Sequence, residues 1–166
     1  IRTIDDEVES ATFYINENQA VFEYGSTEMV SRLIDGAYPD YEQIIPSSFK
    51  YSFVLLRSEF INAVKISGLF ATIGSNSVSL EINSKKRLVT VFSATALGEE
   101  KTDFTLDIEG EGDVKIAFDY RYLLDGLVCI DREEIFFGAN SESSPVLLKP
   151  AGHEDAFNYI VMPIRQ

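Results

Sequence analysis

Val114-Lys115-Ile116-Ala117-Phe118-Asp119 is the stretch at which the chain starts over. Val114, Ile116 and Phe118 alternate with Lys115 and Ala117, the period of a strand with one apolar face. Asp119 can then cap a helix running to Ile130, with Tyr122, Leu123, Leu127 and Ile130 facing inward. Strands are predicted next at Glu134–Gly138, Pro145–Lys149 and Phe157–Ile164. The same order precedes it. Tyr51–Leu56 reads as a strand, and Ser58 can cap a helix from Glu59 to Ala71 with Phe60, Ala63, Val64, Ser67 and Phe70 on one face. Strands at Val78–Ile82, Leu88–Ser93 and Thr102–Ile108 follow, with Lys85-Lys86 in the first turn between them. Strand, helix and three strands, repeated at roughly 62 residues, is an internal duplication. Two such units predict an α+β domain, with two antiparallel sheets outside and two helices together on one side.

Upstream, Thr12–Asn16 and Gln19–Tyr24 form a hairpin pattern around Asn16-Glu17-Asn18. A lone hairpin is not independently stable, so it should belong to a sheet lying mostly elsewhere. The acidic cluster Asp5-Asp6-Glu7-Val8-Glu9 lacks the alternating ligands and turn glycine of a calcium loop, and reads as a solvated turn. Ser31 to Pro46, with Asp35-Gly36 and Pro39-Asp40, reads as an extended connector between domains.

Composition bounds the function. The 166 residues are 45% hydrophobic and 25% charged, ordinary for a globular chain. No apolar run is long enough to span a bilayer, and no leader pattern opens the sequence. The start at Ile1 is what a partial polypeptide would show. A net charge of −13 runs against a protein that grips nucleic acid by neutralising phosphates. Cys129, the one cysteine, can make no internal disulfide, should pack as a small core residue, and suits a reducing cytoplasm.

Catalytic constellations are missing. His153 lies in Gly152-His153-Glu154-Asp155, a turn whose adjacent side chains do not converge on one atom. Ser143-Ser144 has no histidine at a useful spacing, and Gly110-Glu111-Gly112 is flanked by acids that repel phosphate. No cofactor and no metal are expected.

The tail Tyr159-Ile160-Val161-Met162-Pro163-Ile164-Arg165-Gln166 is apolar nearly to its end, where chains usually fray. Alternation puts Tyr159, Val161 and Pro163 on one face and Ile160, Met162 and Ile164 on the other. It is either a final strand buried on both sides or the lining of a groove for a partner. The tail, with Ser143-Ser144-Pro145-Val146-Leu147-Leu148 before it, resembles the C-terminus of the bacterial DNA polymerase III β subunits, the replication sliding clamps. Leu33-Ile34-Asp35-Gly36-Ala37-Tyr38-Pro39-Asp40-Tyr41 resembles that family's link between its middle and last domains.

The resemblance implies residues 1–46 as the end of the middle clamp domain plus linker, and 47–166 as the C-terminal clamp domain. It implies a noncatalytic processivity factor of the cytoplasm and nucleoid that encircles duplex DNA without reading its sequence. The clamp loader, the α subunit of DNA polymerase III, other polymerases and repair proteins would dock through short linear motifs. The full-length protein would be a homodimeric ring without membrane contact. Carried over by position, the peptide groove falls on Pro39, Gln43, Ile44, Asp119, Tyr122, Ser144, Ile160, Val161, Met162, Pro163, Ile164 and Arg165. Asp119 stands where the family often has asparagine, and Gln43 where it often has arginine, so altered peptide affinity is expected. The DNA channel would use Arg57, Lys65 and Arg121, and the ring interface Ile66, Leu69, Glu99, Glu100 and Asp103. The alternative is a duplicated α+β protein-interaction domain with no nucleic-acid role.

Overall fold

The computed structural model describes residues 10–38, 40–71, 76–95, 98–152 and 157–165. The acidic cluster at 5–9, Pro39, His153 to Asp155 and Gln166 lie outside them. The chain forms two compact units, Ile1–Asp40 and Tyr41–Gln166.

In the first unit, β1 (Thr12–Ile15), β2 (Gln19–Tyr24) and β3 (Thr27–Arg32) make an antiparallel meander in that order. Asn16 Oδ1 accepts from the backbone N–H groups of Asn18 and Gln19 at 3.0 and 2.8 Å, which sets the first turn. The hairpin expected there is present. The third strand is not foreshadowed, because Glu28, Ser31 and Arg32 break its apolar pattern; Ser31 and Arg32 pair with Ala20 and Gln19 instead of opening the connector. The connector is not extended throughout either, since Tyr41–Ile44 forms a 3-10 turn.

The second unit carries the duplication. Its first repeat is β4 (Tyr51–Leu56), α1 (Arg57–Ala71), β5 (Ser77–Asn83), β6 (Leu88–Thr95) and β7 (Gly98–Thr105). Its second is β8 (Asp113–Asp119), α2 (Tyr120–Cys129), β9 (Glu134–Ala139), β10 (Val146–Pro150) and β11 (Tyr159–Val161). The sheets have the orders β11-β10-β9-β4 and β7-β6-β5-β8, so each repeat lends its first strand to the other repeat's sheet. The helix starts are exchanged likewise. Arg57 donates its N–H to Glu133 O at 2.7 Å, and Tyr120 donates to Asn76 O at 3.0 Å.

The helices pack on each other and on both sheets around one core. Phe60 of α1 is fully buried, edge-on to Phe104 and Phe137 with ring centroids 6.5 Å from each, and so joins one sheet to the other. Burying such a ring contributes about 1.5–3 kcal/mol. On α2, Gly126 lets the Tyr159 ring lie where a Cβ would collide with it.

Several local expectations are corrected. The first helix begins at Arg57, because the Glu133 carbonyl takes its N–H and the helix leaves β4 without a break; Ser58 is inside it. Phe70 is half-buried, against Gly98 at the end of its helix. Tyr122 is 58% exposed, the inward place being taken by Leu123, and Cys129 is exposed at the end of α2. β7 starts at Gly98 rather than Thr102, since Ser93↔Glu100 and Thr95↔Gly98 continue the ladder with β6 through polar residues. β11 is shorter than expected and stops at Val161, after which the chain leaves the sheet.

Replacing Gly126 by valine should force the Tyr159 ring out of place and destabilise the chain by about 1–3 kcal/mol, the usual cost of overpacking. A urea unfolding midpoint unchanged from wild type would contradict this contact.

Candidate peptide-binding groove

The tail is held at two points. Val146 pairs with Val161 and Leu147 with Ile160, so β11 closes the edge of its sheet with Val161 in the core. Three residues later Ile164 donates its N–H to Ala117 O at 2.8 Å, on the edge strand of the other sheet. Met162 and Pro163 span the gap. Met162 is 56% exposed and Ile164 37%, while Pro163 is half-buried.

The start of α2 lies on the same side. Tyr159 donates its hydroxyl to Tyr122 O at 2.9 Å, and burial pushes that hydroxyl's pKa up. Asp119 caps the helix: its Oδ1 accepts from Arg121 N–H at 3.0 Å and from Arg121 Nε at 3.0 Å. The Arg121 hydrogen bond holds the Asp119 carboxyl below the usual range, and Asp119 in turn raises the arginine. Ser144 is half-buried in the loop before β10, its Oγ 2.6 Å from that of Ser141. Thus Asp119, Tyr122 and the tail residues 160–165 share one region, with Ser144 in the loop before β10, the strand that pairs with β11. Gln43 and Ile44 sit on the 3-10 turn, where Ile44 is 44% exposed.

A cleft of about 410 Å³ adjoins the tail, lined by Lys115, Ala117, Glu142, Ser143, Ile164 and Arg165. Lys115, Ala117 and Glu142 carry no site signal in the sequence, because only the crossing of the tail from sheet to sheet makes them neighbours. The region offers apolar side chains, a pinned carboxylate and backbone polar groups. That set suits binding, and it contains no nucleophile paired with a base. Among the described residues, no group of three or more His, Cys, Asp or Glu could hold a metal ion.

The sequence model of the family described as DNA polymerase III beta subunit, C-terminal domain, matches residues 42–165. The chain belongs to this family. A beta sliding clamp of Synechococcus elongatus is 32% identical over 158 residues, covering 95% of this chain and 42% of the relative. The solved DNA polymerase sliding clamp of Bacillus subtilis has a TM-score of 0.82 at 28% identity, covering 99% of this chain and 43% of that one. The DNA polymerase III beta subunit of Thermotoga maritima has a TM-score of 0.77 at 31% identity, over 94% of this chain and 42% of that one. The chain therefore spans less than half the length of the relatives it matches.

Within this clamp domain, the remaining expected residues divide by how far they are engaged. Arg57 donates from Nε to Arg132 O at 3.0 Å and from Nη1 to Leu127 O at 3.4 Å, tying the start of α1 to the end of α2. Arg121 is paired with Asp119. Lys65 is exposed on α1. Ile66 and Leu69 are 45% and 72% exposed on the same helix. Glu99, Glu100 and Asp103 lie on β7, an edge strand; Glu100 accepts from Thr102 Oγ1 at 3.3 Å. Asp103 accepts from Thr90 Oγ1 at 2.6 Å, which, with Lys101 at 3.4 Å, lowers its pKa.

Asp119→Asn keeps a capping side chain and removes the charge. The folded carboxyl is depressed, so its contribution is present above the unfolded value of about 3.9 and lost as pH falls through the folded one. Wild type should exceed the variant in stability at pH 7, with the gap closing below about pH 4. Parallel denaturation curves at pH 7 and pH 3 check this, and a gap that does not shrink between the two would contradict it.

Proposed function

We propose that this chain is the carboxy-terminal part of a bacterial replication sliding clamp, a noncatalytic processivity factor. In this reading residues 1–46 end the middle domain and supply the linker, and residues 47–166 form the last domain. The whole protein is a homodimeric ring around duplex DNA in the cytoplasm, associated with the nucleoid, and tethers polymerases, the clamp loader and repair proteins by short peptide motifs. Carrying this reading is the tail's crossing from β11 to Ala117, which leaves Met162 exposed and sets Ile164 beside a cleft, in a chain of this family whose relatives bear the clamp name.

The physical case for peptide capture is direct. Met162 is flexible and polarizable, which suits varied apolar anchors, and Tyr122 adds a ring with a polar tip. The charge of −13 suits enclosure of DNA better than a grip on it, and leaves Lys65 as a weak, salt-sensitive contact. Arg57 and Arg121, already engaged, contribute at most a positive potential. Ile66 and Leu69 beside the acidic β7 edge supply apolar anchors with a charged rim, as an interface between protomers needs. No helix among the described residues is long and apolar enough to cross a membrane.

The test is fluorescence polarisation with a labelled peptide carrying glutamine, leucine and a leucine–phenylalanine end. Met162→Glu should weaken binding at least tenfold, about 1.4 kcal/mol, because a charge would face the apolar anchors. Equal binding by wild type and variant would remove Met162 from the groove. Absence of binding by this chain and by its longer parent would sink the clamp reading.

A further inference from the structure

One aromatic ring is seated on the outer face of the sheet β11-β10-β9-β4. Phe137, Val146 and Leu148 are in the core, so the alternation of β9 and β10 turns Phe136, Gly138, Leu147 and Lys149 outward. Leu147 is nevertheless only 3% exposed. Its partner in β9, Gly138, leaves a socket: a Cβ there would come within 2.5 Å of the Phe49 ring. That ring meets Phe136 edge-on with centroids 5.3 Å apart, and Lys149 Nζ lies over the Phe136 ring at 5.1 Å. Phe49 thus fills the place of the side chain that Gly138 lacks.

A single side-chain amide brackets Phe49. Asn140 Nδ2 donates to Ser48 O at 2.8 Å, and Asn140 Oδ1 accepts from Lys50 N–H at 2.7 Å. Lys50 N–H also reaches Ala139 O at 3.1 Å. The backbone is therefore tied to the end of β9 on both sides of the ring. An aspartate at 140 could not donate to the Ser48 carbonyl.

The anchored ring lies a short way after the 3-10 turn Tyr41–Ile44, which belongs to the same compact unit. Pro46 lies between them, fixing its own φ and restricting Ile45 before it. Ile45 N–H in turn closes on Glu42 O at 3.3 Å. Ile45 and Phe49 border a cavity of about 770 Å³ together with Leu147 and Asn158, the residue before Tyr159. The turn that carries Gln43 and Ile44 and the strand that leads into the tail thus meet at one space.

We propose that Phe49, seated on Gly138 and bracketed by Asn140, is a positioning residue for the peptide groove. It holds the turn Tyr41–Ile44, the linker's share of the groove, in place before a peptide arrives, and acts without touching the peptide. The inference rests on the groove reading given above. An unanchored turn would have to be ordered at the moment of binding, and the peptide would bind more weakly by that cost.

The experiment compares wild type, Phe49→Ala, Gly138→Ala and the double variant, each as the whole chain. Nitrogen-15 relaxation reads the order of the turn, and fluorescence polarisation reads binding of the labelled leucine–phenylalanine peptide. In Phe49→Ala the Gln43, Ile44 and Ile45 amides should fall from rigid order parameters of about 0.85 to below about 0.6, with the Ile164 amide unchanged. Peptide affinity should fall about fivefold. Gly138→Ala should act in the same direction by displacing the ring, and should add little once Phe49 is gone, because the two act through one contact. If Gly138→Ala fails to fold, Asn140→Asp takes its place with the same directions expected. An unchanged turn in Phe49→Ala, equal loosening at Ile164, or wild-type peptide affinity in that variant would each overturn the proposal. Absence of binding by wild type and by its longer parent would overturn the groove reading instead, and the order parameters would still decide whether Phe49 holds the turn.

Discussion

The exchange of first strands between the two repeats governs this unit. β4 is hydrogen-bonded to β9 from Tyr51↔Ala139 to Leu56↔Glu134, and β8 to β5 from Ser77↔Asp119 to Asn83↔Asp113. Each four-stranded sheet takes three strands from one repeat and its fourth from the other. Both helices start where an exchanged strand ends, so their positions are set by pairings distant in sequence. Phe60 reinforces this by touching aromatic rings from both sheets. The two repeats should fold as one cooperative unit, since loop-closure entropy must be offset before either sheet is complete.

Exchange leaves β4 and β8 as edges, and each is met by a segment crossing from the other sheet. After β7 the chain reaches Ser52 through Glu109, and after β11 it reaches Ala117 through Ile164. The first crossing requires Gly110, whose φ of +123° is open to glycine and whose place beside the Lys50 carbonyl has no room for a Cβ. The second crossing makes the candidate site. The same topological need, the covering of a sheet edge, produces a structural seam in one half and the candidate binding surface in the other.

Much of this is legible where the signal is local. The alternation at 114–118 and the Asp119 cap are both present, because period and capping chemistry are properties of a few adjacent residues. A helical wheel turns Tyr122 inward, yet a wheel cannot tell which of Tyr122 and Leu123 meets the core; here it is Leu123. The start of β7 escapes a sequence reading because Glu99, Glu100 and Lys101 carry no apolar alternation, and only the partner strand β6 makes that segment a strand. The strand exchange is invisible for a related reason. Register between segments roughly 30 to 90 residues apart leaves no periodic trace in either. The candidate site is legible only through the tail and linker motifs; its neighbours Lys115, Ala117 and Glu142 are brought there by topology.

The way the tail is held bears on how well it can bind. A free tail would lose the conformational entropy of each ordered residue on meeting a partner, about 1–2 kcal/mol per residue for the backbone alone. Here Val161 is already in the core and Ile164 is already bonded to Ala117, so Met162 and Pro163 are fixed at both ends before any partner arrives. Proline at 163 fixes its own φ, and its missing N–H costs nothing outside the ladder. What stays free is the Met162 side chain, the part that must adapt. A rigid backbone carrying one adaptable apolar side chain would let short peptides bind at a small ordering cost, which is the condition for the proposed use of a short motif.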